Sequence, residues 1–153
     1  TTREDAAKYM QSADEKRLEN IVNGALAYAG KKAKVASIGW CFGGGWSLKS
    51  AILSKKQAIG SVMYYGMPVQ DVEKLKTLNC EVLGLFATEE WISKKIIEEF
   101  AVNMKTANKL LNYKIFEAEH AFANPSNPKF DEKAATEANA MAISFLKEKF
   151  KLK

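Results

Sequence analysis

Residues 35–46 read VASIGWCFGGGW, a β-branched apolar stretch that runs into a cysteine between two aromatics and then into three consecutive glycines. This feature limits the fold more than any other. A buried strand ending in so glycine-rich a turn hands the chain to a helix packed tightly against it, because only glycine lets two backbones approach that closely. Cys41 is then either a nucleophile at the apex of a strand–turn–helix or a small buried thiol beside a packing contact. A dinucleotide-binding loop is a poorer reading, since Gly39, Gly43, Gly44 and Gly45 do not give G-x-G-x-x-G in any register.

The rest of the chain supplies the context for that turn. Ser12-Ala13-Asp14-Glu15 reads as a capping box opening a helix with Leu18, Ile21, Val22, Ala25, Leu26 and Ala29 on one face and Gly30 at its end. A shorter helix over about 3–11 starts after Thr2. Apolar strands are expected at 34–39, 59–65, 81–86 and 112–117, separated by helices at about 44–55, 72–76 and 93–108. A loop over 120–128 leads to a last helix from Asp131 that buries Ala134, Ala138, Met141, Phe145 and Leu146. Strands apolar on both faces and alternating with helices imply an α/β fold, a parallel sheet with helices on both faces. At 153 residues the chain is expected to form a single domain over 1–153.

Composition excludes several classes of function. Lys+Arg 23 against Asp+Glu 18 gives a net charge of +5, but the excess is scattered apart from Lys31–Lys34 and the tail after Lys147, so a solvated surface rather than a nucleic-acid footprint is expected. No apolar run approaches a membrane span, and no secretory leader is visible. Two cysteines, Cys41 and Cys80, are too few and too far apart for a disulfide framework or a zinc site. A reduced, cytoplasm-like setting without metal or cofactor is expected. The chain starts at Thr1 rather than Met, which points to processing or to a missing upstream segment.

The pattern around Cys41 is G-x-C-x-G, a nucleophile elbow with cysteine in place of serine. At such an apex the residues two before and two after, Gly39 and Gly43, must be small or they collide. The helix N-terminus beneath the side chain favours thiolate, and the backbone N–H of Phe42 faces the developing oxyanion. An elbow nucleophile needs a base and an acid from later loops, in the order nucleophile, acid, histidine. His120, the sole histidine, follows the fourth strand, and Glu89-Glu90 follow the third. Both positions fall at the C-terminal edge of the sheet, where open α/β sheets place their sites. Trp40, Trp91 and Phe122 flank these positions as pocket walls or as core, and Cys80 reads as a packing thiol.

These residues resemble the dienelactone hydrolase family of α/β-hydrolases. The resemblance is carried by Gly39-Trp40-Cys41-Phe42-Gly43-Gly44-Gly45, Tyr64-Tyr65-Gly66, Val82-Leu83-Gly84-Leu85-Phe86 and Glu119-His120-Ala121-Phe122-Ala123-Asn124, and it runs from about Leu18 to the last helix. It implies a Cys-acid-His triad that hydrolyses small esters or lactones through an acyl-enzyme, with Cys41 as nucleophile and His120 as base. The family's acid is an aspartate, and here the loop reads Phe86-Ala-Thr-Glu-Glu-Trp91-Ile92. Counting forward from Phe86 selects Glu90 and counting back from Trp91 selects Glu89; Glu90 is the preferred acid because the strand end fixes position better than the loop.

The resemblance also implies strands ahead of the helix that leads into the elbow strand, whereas only about thirty residues precede Val35. The chain thus resembles the C-terminal half of the fold, without the loop that gives a second oxyanion donor and a glutamate that contacts the resting cysteine. Val35–Ile38 is then an unprotected apolar edge, to be covered by a second copy of the chain or by a separately supplied first half. The expected function is hydrolysis of a small ester or lactone by a homo-oligomer. The alternative is an inactive remnant that acts as a binding or assembly module.

Overall fold

The computed structural model describes residues 2–89 and 91–152. They divide into two compact units, one up to residue 33 and one from residue 34 onwards, each taken by itself. The first holds α1 (Arg3–Gln11) and α2 (Glu15–Ala29). Thr2 opens α1 with a reciprocal box, its hydroxyl accepting from the Asp5 N–H while the Asp5 carboxylate accepts from the Thr2 N–H. Asp14, not Ser12, caps α2, accepting the Arg17 N–H at 2.7 Å. Ser12 instead closes α1, its N–H bonded to the Lys8 carbonyl, so the chain turns two residues later than the Ser12–Glu15 box predicts. Leu18, Val22 and Leu26 form a half-buried stripe on α2, while Ile21 and Tyr28 are exposed.

The second unit runs β1 (Val35–Trp40), α3 (Phe42–Ser54), a short 3-10 turn (Lys55–Gln57), β2 (Ala58–Tyr64), α4 (Val72–Lys76), β3 (Val82–Ala87), α5 (Lys94–Thr106), β4 (Leu111–Phe116) and α6 (Glu132–Phe150). The strands form one parallel sheet in the order β1-β2-β3-β4. Side chains alternate along the strands, so each face builds its own core. On one face Met63, Val82 and Phe86 meet Leu48 and Ala51 of α3, Leu75 of α4, and Ile97, Phe100 and Met104 of α5. On the other, Val62, Tyr64, Leu83, Leu85 and Phe116 meet Ala134, Ala138, Ala142 and Phe145 of α6. The small residues of α6 let it lie close on the sheet, and Gly60 makes room for the Phe145 ring.

A polar ladder lies inside the first core. Ser47 of α3 hydrogen-bonds Ser61 of β2, hydroxyl to hydroxyl at 2.9 Å, and the Ser37 hydroxyl of β1 donates to the Ser47 carbonyl at 2.8 Å. It fastens the first turns of α3, the helix that follows Cys41, to β1 and β2. Lys149, paired with Glu81 and Glu148, ties the end of α6 to the start of β3. Among the described residues β1 pairs with β2 alone, and Ile38 and Trp40 are more than two-fifths exposed on that edge.

Candidate active site

Cys41 stands where β1 passes into α3. Its backbone has φ 55° and ψ −122°, a strained conformation for a residue with a side chain. Three hydrogen bonds hold it there: its N–H donates to the Tyr64 carbonyl at 3.0 Å, and its carbonyl accepts from Gly44 at 2.9 Å and Gly45 at 3.3 Å. The glycines around it divide unequally. A Cβ on Gly39 would lie 2.0 Å from the Gly43 carbonyl oxygen, one on Gly44 2.5 Å from the Tyr64 carbonyl oxygen, and one on Gly66 2.3 Å from the Gly45 nitrogen. A Cβ on Gly43 meets nothing within 4 Å, contrary to the expectation that both flanking glycines must be small. The close approach at residue 43 is made by its backbone, against Gly39. Phe42 opens α3, so its N–H has no intrahelical acceptor and lies next to the cysteine.

His120 follows β4 in the loop that leads to α6. Its Nε2 lies 3.1 Å from the Cys41 Sγ, and its Nδ1 lies 2.9 Å from each carboxylate oxygen of Glu89. The Glu89 side chain is only 11% exposed and that of His120 26%, so the pair is largely screened from bulk water. Thr88 makes the contact possible. Its N–H donates to the Ala118 carbonyl at 2.9 Å and its hydroxyl to the Phe116 carbonyl at 2.8 Å, which stitches the loop after β3 to the loop after β4. β3 extends to Ala87, one residue beyond the expected end, and residue 89 is thereby brought to the imidazole. Glu90, the preferred acid of the sequence analysis, lies outside the described residues.

The surroundings of the imidazole are aromatic. Trp91 lies 6.3 Å from the His120 ring and is 63% exposed, at the mouth of the site. Tyr65 presents a ring 5.1 Å from it, edge to face. Phe122 is core, packed on Tyr65 and Phe116, and Trp40 stacks on Tyr64. Burial pushes the hydroxyls of both Tyr64 and Tyr65 up to about 12. Tyr65 has no assigned role in the sequence analysis, where it appears only in Tyr64-Tyr65-Gly66; its signal is a tyrosine pair at the C-terminal end of a buried strand. Cys80 sits at the start of β3, away from the site, its thiol pushed up to about 11 by burial. No cluster of three metal-binding side chains occurs among the described residues.

Cysteine, imidazole and carboxylate in this sequence of contacts can pass a proton from Sγ to Nε2 while the carboxylate holds the ring. Known proteins match both the chain and its fold. Carboxymethylenebutenolidase 1 of Cupriavidus pinatubonensis is 27% identical over 155 residues, with 94% of this chain and 63% of that protein covered. A Saccharolobus solfataricus protein that carries the carboxymethylenebutenolidase name provisionally is 26% identical over 140 residues, covering 90% of this chain and 53% of its own length. The chain thus spans between about half and two-thirds of the curated relatives it matches.

Two solved structures share the fold. A Klebsiella pneumoniae protein provisionally named a dienelactone hydrolase superposes with a TM-score of 0.76 at 20% identity, covering 89% of this chain and 62% of that one. A dienelactone hydrolase-like promiscuous phosphotriesterase from metagenomic libraries gives 0.72 at 18% identity, covering 92% and 64%. The sequence model of the dienelactone hydrolase family matches residues 1–150, and the chain belongs to that family.

Proposed function

We propose that this protein hydrolyses small esters or lactones through an acyl-enzyme, with Cys41 as nucleophile, His120 as general base and Glu89 as the acid that orients it. The continuous contact from Sγ through the imidazole to the carboxylate, 3.1 Å and then 2.9 Å, carries the reading. Membership of the dienelactone hydrolase family and the carboxymethylenebutenolidase names of the two relatives support the substrate class.

In the proposed reaction His120 Nε2 takes the Sγ proton as sulfur attacks the carbonyl carbon. The negative charge that develops on the carbonyl oxygen meets the Phe42 N–H. The tetrahedral intermediate collapses, and Nε2 returns its proton to the departing alkoxide. In a lactone that alkoxide stays tethered to the acyl group. His120 then deprotonates a water that attacks the thioester, and the acid leaves as the thiol is restored. Throughout, Glu89 accepts the Nδ1–H, which keeps the Nε2 lone pair towards sulfur and stabilises the imidazolium as it forms.

Turnover of an activated aryl ester by the wild type, Cys41→Ala and His120→Ala tests the proposal. Both variants are expected to lose at least 99% of the wild-type rate, and equal rates in all three would sink it. A second reading, an assembly or binding module, is favoured by the exposed β1 edge. It predicts those equal rates together with a bound partner.

A further inference from the structure

We infer that Tyr65 is a positioning residue for His120, its ring holding the histidine loop at the distance from Cys41 that proton transfer needs. The inference rests on the hydrolase reading above for its meaning, but not for its test. It starts from where the backbone is strained. Non-glycine residues with positive φ among the described residues are Cys41, Lys55, Tyr65, Asn108, Ala121 and Lys151. Lys55 and Lys151 cap the C-termini of α3 and α6, and Asn108 follows the cap of α5, places where a left-handed residue is ordinary. Cys41, Tyr65 and Ala121 have no such explanation. They sit at the C-terminal ends of β1 and β2 and beside His120, so the unexplained strain gathers around one imidazole.

For a bulky aromatic side chain, φ 33° is an outlier, and a glycine there would carry no strain. What a glycine could not supply is the set of contacts Tyr65 makes. Its N–H donates to the Leu85 carbonyl at 2.8 Å, fixing its backbone to β3. Its ring meets His120 at 5.1 Å and Phe122 at 5.2 Å, both edge to face. Tyr65 is 2% exposed, so these contacts are made out of water.

The neighbouring tyrosine has a different task. The Tyr64 hydroxyl donates to Asn139 Oδ1 at 2.8 Å and so ties β2 to α6. Tyr64 therefore holds a helix, while Tyr65 holds the loop with the imidazole. Leucine at 65 would keep the position apolar and remove the edge-to-face contacts with His120 and Phe122. The turn through Ala121 would then be free to relax, and with it the 3.1 Å gap between Nε2 and Sγ.

The test compares Tyr65→Leu, which removes the ring, with Tyr65→Phe, which keeps it, and with Tyr64→Phe. The chain has one histidine, so its imidazole signals in NMR are unambiguous. Tyr65→Leu is expected to shift those signals and to slow alkylation of Cys41 by iodoacetamide at neutral pH, mapped by mass, roughly threefold or more. Its kcat on an activated aryl ester should fall roughly tenfold while KM stays within about twofold. Tyr65→Phe should retain most of the wild-type alkylation rate and kcat, and Tyr64→Phe should lower the thermal midpoint yet leave the alkylation rate at wild type. The proposal is overturned if Tyr65→Leu alkylates and turns over like the wild type, or if Tyr65→Phe or Tyr64→Phe falls as far as Tyr65→Leu. If Tyr65→Leu does not fold, the wild type still decides, since carbon-bound His120 ring protons without the ring-current shift of a tyrosine edge to face at 5.1 Å would also overturn it. Failure of the hydrolase reading shows up separately, as turnover that survives Cys41→Ala.

Discussion

Replacing Gly39 by alanine puts one methyl group into the tightest backbone contact of the elbow. The new Cβ would lie 2.0 Å from the Gly43 carbonyl oxygen and 2.4 Å from its carbon, so even a tight 3.0 Å separation requires β1 and the first turn of α3 to part by about 1 Å. That retreat is resisted. Ser47 is bonded to both Ser37 and Ser61, and Cys41 to Tyr64, so the helix cannot slide without breaking buried hydrogen bonds. Overpacking of this kind costs about 1–3 kcal/mol, which lowers the thermal midpoint by roughly 2–12 °C for a chain of this size. Because Cys41 rides on the same turn, a shift of about 1 Å also reduces turnover roughly a hundredfold. Gly43→Ala is the control: its Cβ meets nothing within 4 Å, and alanine in a helix is favoured over glycine by up to about 1 kcal/mol. Circular dichroism melts and the alkylation rate of Cys41 read both effects. If Gly39→Ala melts with the wild type, or Gly43→Ala falls as far as Gly39→Ala, the steric argument is refuted.

Glu89→Gln keeps the shape of the side chain but removes the charge that orients His120, and turnover should fall by about 10³–10⁴, whereas Glu90→Gln should stay within a few-fold of wild type; a larger loss in Glu90→Gln would reassign the acid. Burial pushes the Cys80 thiol up to about 11, so iodoacetamide at neutral pH should label Cys41 and spare Cys80 until the protein unfolds, and equal labelling of the two would contradict the elbow. The fold favours neutral Tyr64 and Tyr65, whose hydroxyls are raised to about 12, so the stability they contribute is intact below pH 10 and drains as the pH rises to 12. Tyrosinate absorbance and circular dichroism followed together should show a late ionisation step coincident with unfolding, and complete ionisation of a still-folded protein would be inconsistent. Sedimentation in dilute solution should give a species larger than the 17.0 kDa monomer if a second copy covers the β1 edge, and a clean monomer counts against that assembly.

The strands were legible because a buried parallel sheet writes itself as unbroken apolar runs. Expected spans 34–39, 59–65, 81–86 and 112–117 differ from β1 to β4 by a residue or so at each end. Helix faces were less legible. Ala135 and Ala142 of α6 are buried alongside the expected Ala134 and Ala138, since small residues give a weak apolar signal even where close packing needs them. The start of α2 was misplaced because Ser12 and Asp14 are both good caps, and only the backbone turn decides which one serves.

At the site, Cys41 and His120 could be named from residue type and order alone, and the structure brings them to 3.1 Å. Which glutamate meets the imidazole could not be read. It depends on Thr88 bonding across to Phe116 and Ala118, a contact between loops that no local pattern records. Nor does the sequence separate Gly39 from Gly43, since one glycine is required by its own missing side chain and the other only lends its backbone to the contact.

The Thr88 stitch has a mechanical consequence. Glu89 and His120 sit on loops sewn to each other, while Cys41 belongs to a turn anchored separately by the serine ladder and the Tyr64 carbonyl. Thermal motion of the sewn loops carries carboxylate and imidazole together and leaves their mutual geometry intact. The gap between imidazole and sulfur is the distance these anchors leave to vary, so in the proposed mechanism breathing of the two bodies along it would set how often the proton crosses.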